Sequence, residues 1–208
     1  MLMRRLILIN LLAVSLSACA SPQPISLATA QATLMEAWSA DQHTIWEINW
    51  PAAPLGGSLA VETWRAGPRY RYEILEAPAP ALIGETLVFD GQTAWRYNRF
   101  DDPPLSSHLQ REEIAEPALS PVSDAFALVN RLMTTPPEAA TQEAVQLNHC
   151  PAQKITMTFA NGDQLALWRE EQTGLPIQII FKVGEQSAAL QARSFERLVN
   201  PPEGLFKP

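Results

Sequence analysis

Apolar positions recur at two different periods along this chain, and the switches between them mark out its elements. Period two comes first between Thr44 and Trp50, where Trp46, Ile48 and Trp50 share one face and Glu47 and Asn49 the other, which predicts a strand. It returns from Gly57 to Asn98. Leu59 and Val61 lead into Tyr70, Tyr72 and Ile74, which alternate with Arg69, Arg71 and Glu73. Leu87, Phe89, Trp95 and Tyr97 then fall at period two on either side of Asp90-Gly91. Asp-Gly between alternating runs predicts a hairpin, since a type I′ turn needs positive φ at both central residues. From Gln153 onward Ile155, Met157 and Phe159 run up to a second such turn at Asn161-Gly162, followed by Leu165 and Leu167, then Ile177, Ile179 and Phe181, then a strand near 188–197.

The helical period occurs twice. Ser26 is placed to cap a helix carrying Leu27, Ala30, Leu34, Met35 and Trp38 and ending near Asp41. Ser120-Pro121 opens another, with Val122, Ala125, Phe126, Val129, Leu132 and Met133 on one stripe, until Pro136-Pro137 stops it. Short turns between successive strands favour an antiparallel meander. The expectation is an α+β domain with about nine to eleven strands and helices near 27–40 and 121–134. The Pro-rich stretch 101–121 carries no strong period and is expected to cross the surface. A helix set between two groups of strands must either pack on the sheet's apolar face or close it.

The first residues bear on compartment. Arg4 and Arg5 precede an apolar run, Leu6–Leu16, and then Ser17-Ala18-Cys19. A basic region, a short apolar region and small residues before a cut describe a secretory signal over 1–18, and a run this short falls below the roughly 20 apolar residues of a membrane span. The cysteine after Ser-Ala resembles a bacterial lipobox, which implies cleavage before Cys19, lipidation of that residue and a membrane anchor. Residues 19–25 then read as a tether and 26–208 as one domain. Cys150 is left as the only other thiol, so no disulfide within the mature chain is expected. Loss of Arg4 and Arg5 with the leader takes the formal charge from −7 to −9. An acidic chain without a basic cluster argues against nucleic acid and against electrostatic adhesion to anionic lipid.

Catalytic and metal-binding patterns are absent from the sequence. His43, His108 and His149 are scattered, no nucleophile elbow or phosphate-binding glycine loop occurs, and no ligand spacing suggests a metal or other cofactor. His149-Cys150 are neighbours that point to opposite faces of a strand, so no activated thiol is expected there.

Three stretches carry a family resemblance: Gly67-Pro68-Arg69-Tyr70-Arg71-Tyr72, Val88-Phe89-Asp90-Gly91-Gln92-Thr93-Ala94-Trp95-Arg96-Tyr97-Asn98, and Asn200-Pro201-Pro202-Glu203-Gly204. With the order of helices and strands, they resemble the bacterial lipoprotein-carrier superfamily (LolA/LolB/RseB-like), over most of residues 26–206. The resemblance implies a highly curved, unclosed antiparallel β-barrel with helices covering its concave face. It also implies a function, holding the acyl chains of a lipid or lipoprotein. A lipid-anchored member looks more like the receptor or the sigma-factor-regulator type, which docks on a membrane protein, than like the soluble shuttle. A monomer is expected. Carriers place an arginine just before the proline of an early strand, where it helps latch the lid; Arg65 is the nearest counterpart, displaced by two residues from Gly67-Pro68.

The candidate acyl-chain lining is Trp46, Ile48, Trp50, Leu59, Val61, Tyr70, Tyr72, Ile74, Leu87, Phe89, Trp95, Tyr97, Phe126, Val129 and Met133. Alternation reports a buried face and not what covers it, so the same residues also fit an ordinary core. Each buried methylene contributes about 0.8 kcal/mol, enough for an apolar face to hold an acyl chain without polar contacts.

Overall fold

The computed structural model describes residues 21–49, 57–101, 107–109 and 121–207. The leader, Cys19, Trp50 and most of the Pro-rich 101–121 stretch lie outside them. Among the described residues two helices form where the 3.6-residue period predicts them, α1 over Leu27–Ser39 and α2 over Pro121–Thr134. Ser26 caps α1, its hydroxyl accepting from the Thr29 backbone N–H at 3.0 Å. Among the described residues twelve strands make one antiparallel sheet. They are β1 (Gln23–Pro24), β2 (Gln42–Asn49), β3 (Ser58–Ala66), β4 (Arg69–Glu76), β5 (Glu85–Phe89), β6 (Ala94–Asn98), β7 (Ser107–Leu109), β8 (Ala139–Leu147), β9 (Cys150–Thr158), β10 (Gln164–Glu170), β11 (Pro176–Val183) and β12 (Gln186–Arg197).

The spatial order is β1-β8-β9-β10-β11-β12-β2-β3-β4-β5-β6-β7. Two meanders are thus joined side by side where β12 pairs with β2. The end strands, β1 and β7, do not pair with each other, so the barrel is unclosed. Its curvature brings side chains from β9, β10, β11 and β12 into one apolar cluster with those of β2, β3, β4 and β5. Both helices bury their stripes in that cluster, through Ala30, Leu34, Ala37 and Trp38 of α1 and Ala125, Val129, Leu132 and Met133 of α2. The helices therefore cover the concave face.

Three strands lie where none was expected. β1 takes Gln23 and Pro24 out of the tether, pairing them with Gln142 and Thr141. β7 falls in the irregular stretch. β8 has little apolar alternation to announce it, and it forms because Asn148 and His149 both adopt positive φ, 50° and 67°, in a two-residue turn to β9. His149 is a turn residue.

Two expected turns have other geometries. Phe89 pairs with Ala94, so the loop after β5 has four residues, with the Asp90 carboxylate accepting from the Gln92 and Thr93 N–H groups at 2.8 Å each. Phe159 and Asp163 face each other across a three-residue loop in which Gly162 takes φ of 82°, a type I turn with a bulge.

The convex face carries its own small cluster. Ala66, Val88 and Phe206 are buried there, with Trp64, Trp95, Tyr97, Leu198 and Leu205 against them. The C-terminal tail returns to the back of β3–β6, where the Arg69 guanidinium lies 4.8 Å from the Phe206 ring centre. Beside it His43 hydrogen-bonds Glu62 at 2.8 Å and Glu196 at 2.9 Å and stacks on Trp64 at 5.1 Å. Burial opposes the imidazolium, but the two carboxylates outweigh it and raise the His43 pKa above its ordinary 6.5. The stabilisation from a raised pKa is complete below the unfolded value and lost as pH rises through the folded one. Thermal melts should therefore decline as pH climbs above about 6.5, and His43→Gln should flatten that slope. A wild-type melting temperature that rises over the same window would contradict the assignment.

Candidate binding site

α1 lies against β8 and β9, and α2 lies against β10. Both helices thus sit over one half of the concavity and look across at β2–β5. Alternation in the strands decides what they meet. Trp46 pairs with Val61 and Ile48 with Leu59, Val61 with Ile74, Thr63 with Tyr72, Arg65 with Tyr70, Tyr72 with Leu87, and Tyr70 with Phe89. All of these share the concave face.

Six rings connect the two halves. Trp46 lies 6.3 Å from Trp38 of α1, Trp38 lies 5.6 Å from Phe126 of α2, and Phe126 lies 6.0 Å from Tyr72 of β4. Tyr72 and Tyr70 stack in parallel at 6.2 Å, and Tyr70 reaches Phe89 at 5.2 Å. The two ends of the ladder differ. Its inner end is closed, with Trp46 1% exposed and the neighbouring Val129 and Met133 at 0%. Its outer end is half-buried at Tyr70 and Phe89, and Phe126 at the middle step is half-buried too, next to Tyr72 at 8%.

Of the expected lining residues, Trp46, Ile48, Leu59, Val61, Tyr70, Tyr72, Ile74, Leu87, Phe89, Phe126, Val129 and Met133 come together on the concave side. Val129, Met133, Val61 and Ile74 are sealed core rather than accessible wall. Trp95 and Tyr97 belong elsewhere. A loop with an even number of residues pairs odd positions with even ones, so Trp95 faces Val88 and Tyr97 faces Thr86, with both rings in the convex cluster under the tail. The concave positions of β6 are Ala94, Arg96 and Asn98, and Arg96 pairs with Glu85 at 2.9 Å.

The latch also differs from expectation. Arg65 lies with its guanidinium 5.1 Å from the centre of the Trp38 ring and makes no hydrogen bond to the described residues of α2. Trp38 and Gln31, neither of them singled out for this role by the sequence, tie the helices together. Trp38 Nε1 donates to Asn130 Oδ1 at 2.5 Å, and Gln31 Nε2 donates to the Met133 carbonyl at 2.9 Å. Burial lowers the Arg65 pKa from its usual value and pushes the Tyr70 phenol up, while each group's charge favours the other's ionised form. An arginine remains charged even so. Among the described residues no three His, Cys, Asp or Glu side chains cluster as a metal site would need.

The fold and this face define an open antiparallel half-barrel with an aromatic, helix-covered concavity, and the resemblance read from the sequence holds at the level of fold. Solved structures share it. The chain covers 88% of its length on an uncharacterized conserved protein from Thermus thermophilus, 94% of that chain, at 15% identity and a TM-score of 0.54. On the Pseudomonas aeruginosa MucA/MucB complex it covers 88% of its length and 60% of that chain, at 15% identity and a TM-score of 0.53. No family model and no curated protein matches the chain by sequence.

Proposed function

We propose that this is a lipid-anchored cell-envelope protein that holds acyl chains of a lipid or lipoprotein along the ring ladder between the helices and β3–β5. The observation that carries the reading is the difference between the two ends of that ladder. A finished core would be closed at both ends, whereas here an apolar wall runs continuously from sealed Trp46 to half-buried Phe89. An acyl chain laid on the outer rings extends the core, with a gain of about 0.8 kcal/mol per methylene buried. Native mass spectrometry of the purified protein should retain lipid, and a fluorescent fatty acid should bind saturably. Clean apo protein that fails to bind the probe would end the reading.

A regulatory role is the second reading, in which the same domain docks on a membrane protein. What favours it is the fold likeness to MucB, whose structure is a complex with MucA. A stable complex with a membrane-spanning partner, unaffected by delipidation, would select it over the first.

The anchor has its own test. Cys19→Ser is expected to release the protein from membranes or to leave its leader uncleaved, as read by fractionation and N-terminal mass. A processed variant that stays membrane-bound would exclude lipidation at Cys19.

A further inference from the structure

Two side chains on the concave wall have polar tips with nothing to bind among the described residues. Arg65 and Tyr70 stand directly opposite each other on β3 and β4. The Arg65 guanidinium touches the Trp38 ring face, and among the described residues it has no carboxylate or hydrogen-bond acceptor. The Tyr70 ring is packed between Tyr72 and Phe89, and its hydroxyl likewise has no partner there. The nearby acceptors are engaged elsewhere. Gln42, paired with Arg65 across β2, takes the Thr44 hydroxyl on its Oε1, and Asp41 Oδ1 takes the Gly67 N–H. Arg96 and Arg169, also on this face, are matched by Glu85 and by Glu36 of α1. Among the described residues, Arg65 is the concave cation left without a counter-charge.

A half-buried guanidinium with no anion beside it is only partly solvated, and its planar fork fits the two oxygens of a carboxylate or phosphate. Facing it is a phenol O–H, a second donor. Around both lie the half-buried rings of the ladder, which suit a methylene chain. We infer that Arg65 and Tyr70 form an oxyanion seat at the outer end of the apolar wall, so that the ligand is an anionic acyl lipid whose carboxylate or phosphate sits on Arg65. The inference rests on the acyl-chain reading above and adds the charge of the ligand.

The test compares cis-parinaric acid with its methyl ester by fluorescence titration, well above the carboxyl pKa, on wild type, Arg65→Gln and Tyr70→Phe. Wild type is expected to bind the acid about tenfold or more tighter than the ester, the scale of one charge-assisted pair. Arg65→Gln should remove that preference, and Tyr70→Phe should reduce it. Equal binding of acid and ester by wild type overturns the oxyanion seat and leaves the acyl-chain reading standing. Binding of neither overturns both. Since the wild-type comparison decides by itself, a poorly folded Arg65→Gln does not rescue the inference. Inorganic phosphate should displace neither probe; displacement of the acid at comparable concentration would make this a free-anion site and overturn the lipid assignment.

Discussion

Phe126→Ala is expected to abolish most fatty-acid binding while lowering the melting temperature only modestly. Truncating a fully buried Phe costs roughly 3–5 kcal/mol. Phe126 is half-buried and meets Trp38 and Tyr72 ring to ring, so the loss should fall below that range. The same ring is the step of the ladder that spans from the helices to β4, and an acyl chain resting there loses its cover when it goes. Met133→Ala is the control, because Met133 lies in the last turn of α2 and is 0% exposed. It should cost about 2–5 kcal/mol as ordinary core. Equal destabilisation by the two variants, with no acyl binding even in wild type, would mean that α2 only packs and that no ligand site lies beneath it.

Glu73→Ala should be the most damaging change on the convex side. Glu73 is 3% exposed, an unusual place for a carboxylate, and it is held by two guanidinium groups, Arg71 at 3.4 Å and Arg99. Arg71 is already under-satisfied: its Nε is buried without a hydrogen-bond partner, and its guanidinium otherwise meets the face of Trp64 at 5.6 Å. Removing the carboxylate leaves that cation enclosed with nothing opposite. Breaking a buried pair from one side costs about 3–5 kcal/mol, which in a chain of this size is roughly 6–20 °C of melting temperature. Replacing Arg71 as well, by Met, should recover much of the loss. A Glu73→Ala variant within about 1 kcal/mol of wild type would show that water reaches the trio.

Much of the architecture could be read from periodicity alone, because each helix and most strands bury one face and the sequence records which. The two helices and the concave set on β2–β5 came from that signal. What escaped it were properties held between elements. Whether Trp95 joins Phe89 depends on the parity of the loop from Asp90 to Thr93, and Asp-Gly fits loops of more than one length. β8 escaped because an edge-side strand such as Ala139–Leu147 needs no regular apolar face; only Ala140 is buried in the main cluster. The bonds from Gln31 and Trp38 to α2 span about a hundred residues, and no local pattern announces them. Arg65 stood out in the sequence through the family resemblance, but its missing partner is visible only in three dimensions.

The pairing of Gln23 and Pro24 with β8 has a consequence for how the domain would sit on a membrane. With Gln23 fixed in the sheet, only the links from Cys19 to Gln23 separate the anchor proposed at Cys19 from the folded body, a reach of at most about 14 Å at full extension. That is less than the thickness of a bilayer's hydrocarbon core. A domain on so short a leash cannot range far from the surface or tumble freely. With Cys19 lipidated, it would be held with its β1–β8 border close to the headgroups, and any cargo or partner would have to come to it at that height.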